Sequence, residues 1–211
     1  MSYITFENIH KKFGQSDVLS DVNFSIEKGE ICGFAGRNGS GKTMIFKILA
    51  GLVIPTSGKV LYCDEDISHS GKFISSMGIM IETPGFIPHY SGLKNLLVLN
   101  DLSVNKTNKK HIIELMQTLN LDPKNKRPVK TYSLGMRQKL GIIQAVMGSP
   151  ELLVLDEPMN SLDDETVQML RDFFLKLNKE KNTTILIASH IKEDLTALCS
   201  KIYTVANNTV Q

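Results

Sequence analysis

The chain has 211 residues, of which 42% are hydrophobic and 22% are charged, an ordinary globular composition that is sufficient to bury a substantial core. Its formal net charge of +2 is close to neutral and gives no electrostatic reason to expect nucleic acid or an anionic membrane surface as a partner. We therefore do not expect a protein that binds nucleic acid through a strongly basic surface.

Three cysteines, Cys32, Cys63 and Cys199, are odd in number and widely spaced, without paired metal-ligand spacing. We expect reduced, mostly buried thiols in a cytosolic protein. The N-terminus lacks a charged segment followed by an apolar one, and no apolar run in the sequence approaches the ~18 residues of a membrane-spanning helix. If the protein acts at a membrane, another chain is expected to cross it.

Alternation of apolar and polar residues at the start of the chain predicts a small β-rich lobe. The alternation covers residues 3–9 and 22–26. The dipeptide Lys28-Gly29 predicts a turn, after which residues 31–35 form an apolar strand.

Residues 36–43 read Gly-Arg-Asn-Gly-Ser-Gly-Lys-Thr, which is a complete phosphate-binding loop. Its glycines permit the backbone angles that turn successive N–H groups toward a phosphate. Lys42 adds a positive charge near the β- and γ-phosphates, and Thr43 offers a hydroxyl ligand to Mg²⁺. The sequence therefore predicts a site for a nucleoside triphosphate with magnesium. The predicted nucleotide-binding residues here are Gly36, Arg37, Asn38, Gly39, Ser40, Gly41, Lys42 and Thr43.

A helix is predicted directly after this loop, over residues 44–52. Ile45, Ile48, Leu49 and Leu52 recur at helical spacing and are expected to form its buried face. A chance match of a glycine-rich turn is the alternative for the loop, and the strand before it and the helix after it disfavour that alternative.

The middle of the chain changes from strand to helix character. Strands are predicted at residues 58–63 and 77–81, and helical sequence between 83 and 128. One amphipathic helix there carries Ile112, Leu115, Met116 and Leu119 on its apolar face.

Alternation of strand and helix returns after residue 151, which predicts an α/β fold. We expect a P-loop NTPase core with a mainly parallel sheet, an N-terminal antiparallel β lobe and an inserted α-helical subdomain. The predicted single domain, 1–211, has its core in residues 1–82 and 151–211 and its helical insert in residues 83–150.

Two carboxylates follow an apolar strand at residues 152–155, at the sheet edge where α/β proteins bind ligands. Asp156 is placed to hold Mg²⁺ directly or through water, and Glu157 to polarise an attacking water. Pro158 stops the strand. A strand that ends in a capping acid is the alternative, which the upstream phosphate loop disfavours.

With these motifs in this order, the chain resembles the ATP-binding-cassette (ABC) ATPases over nearly its whole length. Residues 132–136, Tyr-Ser-Leu-Gly-Met, lie where that family has its Leu-Ser-Gly-Gly-Gln signature. Ser133 and Gly135 match, and the resemblance implies that they contact the γ-phosphate, with Met136 beside them. Ser133 also suits the N-cap of the next helix, and a purely structural cap is the alternative.

The resemblance extends to two residues after the acidic pair. Asp163 matches a loop that typically contacts the opposing subunit, and it also suits a helix N-cap. His190 matches the switch histidine, which hydrogen-bonds the γ-phosphate and orients the catalytic group; a structural histidine is the alternative. The catalytic residues implied are Glu157, His190 and Lys42.

An adenine pocket is implied as well. Phe13 lies where the family usually has a tyrosine that stacks on adenine, and a ring face is what stacking requires. A buried core phenylalanine is the alternative. Val18 is expected to line the same pocket.

Glu82 departs from the family, which usually has glutamine at that position. The family's residue senses Mg²⁺ and couples to the transport subunit, so Glu82 joins Thr43 and Asp156 as a predicted metal ligand. A carboxylate keeps an oxygen ligand but adds charge, which should strengthen the metal contact and make coupling more sensitive to pH. This feature and the Ser-Leu-Gly-Met form resemble bacterial exporters of lantibiotic or bacitracin-like peptides.

The resemblance implies an ATPase subunit that forms a homodimer or heterodimer around two ATP with Mg²⁺. It would drive a separate transmembrane permease from the cytoplasmic face of the membrane, with residues 84–99 as the coupling surface. A cassette that remodels a protein or nucleic-acid complex is one alternative, and it lacks the basic patch expected of it. A phosphotransferase is another, in which the signature and His190 would have no role.

Overall fold

The structure is a computed structural model, and it describes residues 2–69 and 73–211. The strands are β1 (Ile4–Phe13), β2 (Ser16–Ile26), β3 (Ile31–Ala35), β4 (Ser57–Tyr62), β5 (Glu65–Asp66), β6 (Met77–Met80), β7 (Leu152–Asp156), β8 (Thr184–Ser189), β9 (Lys201–Ala206) and β10 (Thr209–Val210). The helices are α1 (Lys42–Leu49), α2 (Gly92–Leu102), α3 (Lys109–Thr118), α4 (Leu134–Val146), α5 (Asp164–Lys181) and α6 (Lys192–Thr196), with a 3₁₀ turn at Val129–Thr131.

These strands form two sheets. The first is antiparallel, in the order β2-β1-β4-β5, and is the predicted N-terminal lobe. The second has the order β10-β9-β3-β8-β7-β6 and is parallel except for the terminal β9–β10 hairpin. The predicted α/β fold with a mainly parallel sheet and an antiparallel lobe is confirmed.

The hairpin of the antiparallel lobe is longer than the alternation pattern predicts. β1 continues to Phe13 and β2 already begins at Ser16, although most of the added residues are polar or exposed and only Leu19 among them is buried. Lys12 and Asp17 pair across the hairpin at 3.1 Å, and Gly14 turns the chain with φ of 58°. Backbone pairing sustains these strands beyond the part that contacts the core.

The parallel sheet separates two hydrophobic clusters. Leu153 and Leu155 of β7 face a cluster shared with α3, α4 and α5, whereas Leu152 and Val154 face a cluster shared with α1 and the antiparallel sheet. All five residues of β7 are buried, as expected for a strand covered on both faces. The apolar run that predicted this strand is thus explained by its central position.

Helices α2, α3 and α4 form the helical insert. The predicted face of α3 is buried, and α4 buries Leu140 and Ile143 and contacts β6. The predicted limits of the insert, residues 83 and 150, remain a prediction.

One sequence expectation is wrong. Leu52 is 58% exposed, because α1 ends at Leu49 and Gly51 continues the chain with φ of 69°. The three thiols are free, as expected; Cys32 is buried and Cys199 is partly buried, whereas Cys63 is exposed in the turn after β4. Burial raises the pKa of Cys32 and of Cys199 to about 12, so these two thiols are unreactive at neutral pH.

Across residues 2–69 and 73–211, none of the helices has both the length and the apolar character needed to cross a bilayer.

The β6–α4 contact depends on a glycine. A Cβ added at Gly78 would lie 1.9 Å from the carbonyl oxygen of Ala145, a backbone atom that can move only with α4. We expect Gly78→Ala to lower the free energy of unfolding by about 3 kcal/mol in denaturant titrations. Gly85→Ala is the matched control, because no atom lies within 4 Å of its added Cβ. Equal stability of the two variants would contradict close packing at this point.

Candidate nucleotide-binding site

The candidate site lies where three adjacent parallel strands end together. β8 pairs with β3 on one side, with Ala35 opposite Ser189, and with β7 on the other, with Asp156 opposite Ala188. The phosphate-binding loop follows β3, the acidic pair ends β7, and His190 follows β8. Segments distant in sequence are therefore brought to one edge of the sheet.

The phosphate-binding loop needs its glycines for two different reasons. Gly39 and Gly41 have φ of 80° and 110°, which side chains strongly disfavour. Gly36 instead lacks space, because an added Cβ would lie 2.5 Å from the carbonyl oxygen of Val205. Gly41 is the N-cap of α1, so the unpaired N–H groups of that helix begin at the loop.

Lys42 is held inside this loop. Its side chain is only 5% exposed, and its Nζ donates to the carbonyl oxygens of Gly36 at 2.6 Å and of Arg37 at 3.2 Å. Nζ also lies 3.5 Å from Oε1 of Glu157. The ammonium group is thus oriented before any phosphate arrives.

Thr43 and Asp156 offer oxygen atoms suited to magnesium. Thr43 Oγ1 donates to Asp156 Oδ2 at 2.7 Å, while Oδ1 of Asp156 is buried and has no hydrogen-bond partner among the residues described. Nor do the described residues include a group of three His, Cys, Asp or Glu side chains able to hold a metal alone. These oxygens fit Mg²⁺, whose remaining ligands would come from phosphate and water.

Burial raises the pKa of the Asp156 carboxyl above its usual value, and the hydrogen bond from Thr43 opposes this shift. The nearby Glu157 carboxylate also raises it, and Lys42 lowers it. The ionised carboxylate is therefore costly in the chain alone and would be favoured by a bound cation.

Glu157 and His190 contact each other directly. The Nδ1 atom of His190 lies 2.8 Å from Oε2 of Glu157, and the backbone N–H of His190 donates to the same oxygen at 3.4 Å. Glu157 has φ of 50°, an uncommon angle for this residue type, and Gln138 of α4 donates to its carbonyl oxygen at 2.7 Å. The Glu157 carboxylate is therefore held by the residue that follows β8, and the Glu157 backbone is held by the helical insert.

A cavity of about 380 Å³ runs along the phosphate-binding loop. Val18 forms part of its wall, together with Glu157. The lining residues are Val18, Asn38, Gly39, Ser40, Gly41, Lys42, Thr43, Met44, Lys47, Glu82, Asp156 and Glu157.

Phe13 lies outside this lining and is 53% exposed, with Lys11 Nζ 4.8 Å from the ring centroid. The alternative of a buried core phenylalanine is therefore wrong. Stacking of that ring on adenine remains a prediction.

The signature and Asp163 serve as helix caps in this chain. Ser133 Oγ accepts from the N–H of Met136 at 3.2 Å, and Asp163 Oδ1 accepts from the N–H of Thr166 at 2.8 Å. Gly135 approaches Leu162, leaving an added Cβ only 3.1 Å from its Cδ2. Of the described residues that line the cavity, none belongs to the signature. Both N-cap predictions are correct.

Glu82 lines the cavity but is paired with a lysine. Lys47 Nζ donates to Glu82 Oε1 at 2.6 Å, and the glutamate side chain is 62% exposed. An exposed pair of this kind is worth little in stability, so the carboxylate is available to other cations. Its predicted contact with Mg²⁺ remains a prediction.

Sequence reasoning missed Met44, Lys47 and Gln138. Helical periodicity could have identified Lys47, which lies one turn after Thr43 on the same face of α1. The contact of Gln138 with the Glu157 backbone depends on how α4 packs against β7 and carries no local signal.

The sequence profile described as "ABC transporter" matches residues 19–160, which is more than half of the chain. The chain belongs to the ABC transporter family. The family predicted from the motifs is thus confirmed, and with it the assignment as an ABC transporter ATP-binding protein.

Curated relatives agree with this assignment. An uncharacterised ABC transporter ATP-binding protein, YcbN of Bacillus subtilis, is 40% identical over 96% of this cassette and 66% of its own length. The bacitracin transport ATP-binding protein BcrA of Enterococcus faecalis is 37% identical over 94% and 65% of the two chains. The lantibiotic transport ATP-binding protein SrtF of Streptococcus pyogenes is 37% identical over 94% and 85%. The chain thus spans about two thirds of the length of some of these relatives.

Solved structures show the same fold. A dimeric bacterial ABC transporter cassette superposes with a TM-score of 0.89 at 22% identity, covering 99% of this chain and 96% of that one. A nucleotide-free ABC cassette superposes with a TM-score of 0.85 at 22% identity, covering 100% and 90%.

Asp156→Asn should make the nucleotide-free ABC cassette more stable. The folded-state pKa of Asp156 is raised, so its ionisation costs stability at neutral pH, and this cost disappears as pH falls below the unfolded-state pKa. We expect the midpoint of thermal unfolding to rise by about 2–4 °C at neutral pH, the shift that ~1 kcal/mol gives a chain of this size. The difference should vanish in acid, and Mg²⁺-dependent ATP hydrolysis should be lost.

Asp64→Asn, in an exposed turn, is the control and should leave the midpoint unchanged. A lower midpoint for Asp156→Asn than for the native protein would contradict the assigned burial cost.

Glu82→Gln should weaken Mg²⁺ binding in the presence of a non-hydrolysable ATP analogue by roughly tenfold, as expected for groups around a metal. Lys47→Met removes the same ion pair but keeps the carboxylate, so it should strengthen Mg²⁺ binding. The measurement is the Mg²⁺ affinity of the native protein, Glu82→Gln and Lys47→Met, obtained by metal titration. Equal affinities would rule out a metal contact by Glu82.

Proposed function

We propose that this chain hydrolyses ATP as one half of a pair of ABC cassettes, and that the pair drives a separate transmembrane permease. The two cassettes would meet head to tail, so that each ATP lies between the phosphate-binding loop of one and Ser133 and Gly135 of the other. The second cassette is a copy of this chain or a related chain.

Hydrolysis requires a water to attack the γ-phosphorus while the bond to the ADP oxygen breaks. Glu157 is the base that accepts the proton of this water, and His190, bonded to its carboxylate, orients it. Lys42 offsets charge on the phosphate oxygens. Mg²⁺, held by Thr43 and Asp156, would supply further charge neutralisation.

One observation carries the pairing: the signature lies off the cavity of its own chain. Ser133 caps α4 and is not among the residues that line the cavity. The lining comes from the phosphate-binding loop and from Asp156 and Glu157, among others. A single cassette therefore holds ATP on one side only. The contacts that the γ-phosphate adds would close the pair, and their loss on hydrolysis would open it again.

The permease would contact the groove beside Glu82, at the cytoplasmic face of the membrane. This groove, about 220 Å³, is lined by Lys47 and Glu82 as well as by Thr83, Pro84 and Gly141. Lys47 and Glu82 also line the nucleotide cavity, so one ion pair borders both spaces. Residues 84–99 are the proposed coupling surface.

Export of an antibiotic peptide is the proposed task. It is supported by the relatives named for bacitracin and lantibiotic transport and by the glutamate at position 82.

Glu157→Gln should bind ATP but not hydrolyse it, and should accumulate as a closed dimer. The amide keeps the size of the side chain but accepts no proton, so the γ-phosphate contacts persist. Size-exclusion chromatography with ATP should show a dimer for Glu157→Gln and mainly monomer for the control Glu180→Gln, an exposed position on α5. A monomeric Glu157→Gln protein that still binds ATP would contradict the proposed pairing.

A further inference from the structure

A buried ion pair lies behind the segment that carries His190. Asp194, in α6, is 7% exposed and accepts from Nη2 of Arg171, in α5, at 2.8 Å. Counting side-chain atoms alone, Arg171 is 21% exposed and Asp194 is 10% exposed. The pair therefore joins α6 to the middle of α5.

These two helices follow the two contacting residues of the candidate site. α6 begins two residues after His190, and α5 begins seven residues after Glu157, with Asp163 as its N-cap. A cavity of about 420 Å³ is bordered by all of these segments, including Met159, Leu162 and Ile191. Arg171 and Asp194 thus bridge the chain that continues from Glu157 and the chain that continues from His190.

The pair depends on both partners. Within the described chain, the Nε atom of Arg171 is buried and meets no acceptor, so Asp194 is the group that offsets the buried guanidinium charge. Breaking such a pair leaves an uncompensated charge, whereas replacing both partners with apolar groups is often harmless to stability. A contribution to stability therefore explains the Arg171–Asp194 pair poorly. A role in fixing the position of α6 explains it better.

The Arg171–Asp194 pair helps to fix the loop that carries His190. Its ring is 34% exposed and bonds to Glu157 at 2.8 Å, in a loop held on one side by β8. On the other side the loop is held by α6, through buried Leu195 and the Asp194 pair. A small shift of a catalytic group lowers turnover strongly, so the placement of α6 matters for the reaction.

We propose that Arg171 and Asp194 are positioning residues that hold α6, and through it His190, against Glu157 for ATP hydrolysis. The inference rests on the proposed function. Neither residue lines the nucleotide cavity, so ATP binding does not depend on the pair.

A double-mutant cycle in the intact 211-residue chain tests this proposal. Asp194→Ala should lower kcat about tenfold, with KM for ATP within about twofold, because His190 is misplaced while the phosphate-binding loop is intact. His190→Ala should lower kcat further. Adding Asp194→Ala to His190→Ala should have no additional effect, since the residue that the pair positions is already absent.

A second variant separates positioning from folding. Arg171→Met with Asp194→Leu should restore the midpoint of thermal unfolding toward that of the native protein, while kcat stays low. Lys176→Ala, which breaks an exposed pair on the same helix, should change neither quantity.

Three outcomes would overturn the positioning role and leave the proposed function standing. One is additive losses in the cycle, and another is full turnover in the apolar double variant. Native turnover in Asp194→Ala, with His190→Ala impaired, would overturn the positioning role alone. No turnover in the native protein, or full turnover in His190→Ala, would overturn the proposed function as well.

Discussion

The parallel register of β3, β8 and β7 is the constraint on which the rest of the structure depends. Because the three strands end together, the loop after β3, the acidic pair on β7 and His190 after β8 meet at one edge. The strands can do this only because both faces of the sheet are covered, by the antiparallel lobe with α1 on one side and by the helical insert with α5 on the other. Burial of apolar side chains thus fixes the strand ends from which the phosphate-binding loop, the acidic pair and His190 extend.

The features that could be predicted from the sequence are those that depend on residues close together in the chain. The loop at residues 36–43 needs glycines either because φ is positive or because a Cβ would not fit. The apolar face of α3 follows from the helical spacing of its apolar residues. Contacts between distant segments could not be predicted, because each depends on how two elements pack. The Lys47–Glu82 pair joins α1 to the end of β6, and the Arg171–Asp194 pair joins α5 to α6. Leu52 was misplaced since periodicity alone does not show where a helix stops.

Several polar groups of the site already have partners within the chain, although Oδ1 of Asp156 has none among the described residues. Lys42 bonds to two carbonyl oxygens of its own loop, Thr43 bonds to Asp156, and Ser133 caps α4. Binding a nucleotide would therefore exchange these contacts for contacts with phosphate rather than order a loose loop. Such a site loses little conformational freedom on binding, and its affinity reflects a difference between two sets of polar contacts.

The distribution of the thiols has a practical consequence. Cys63 lies exposed in the antiparallel lobe, whereas Cys32 and Cys199 are held in their protonated form by burial. A maleimide dye should therefore attach at one place in the native protein, without removal of any cysteine. Attached there, the dye lies outside the described lining of the nucleotide cavity. Energy transfer between dyes on two chains would then report the distance between the chains as they associate. The turn that carries Cys63 is therefore a suitable labelling position for spectroscopy.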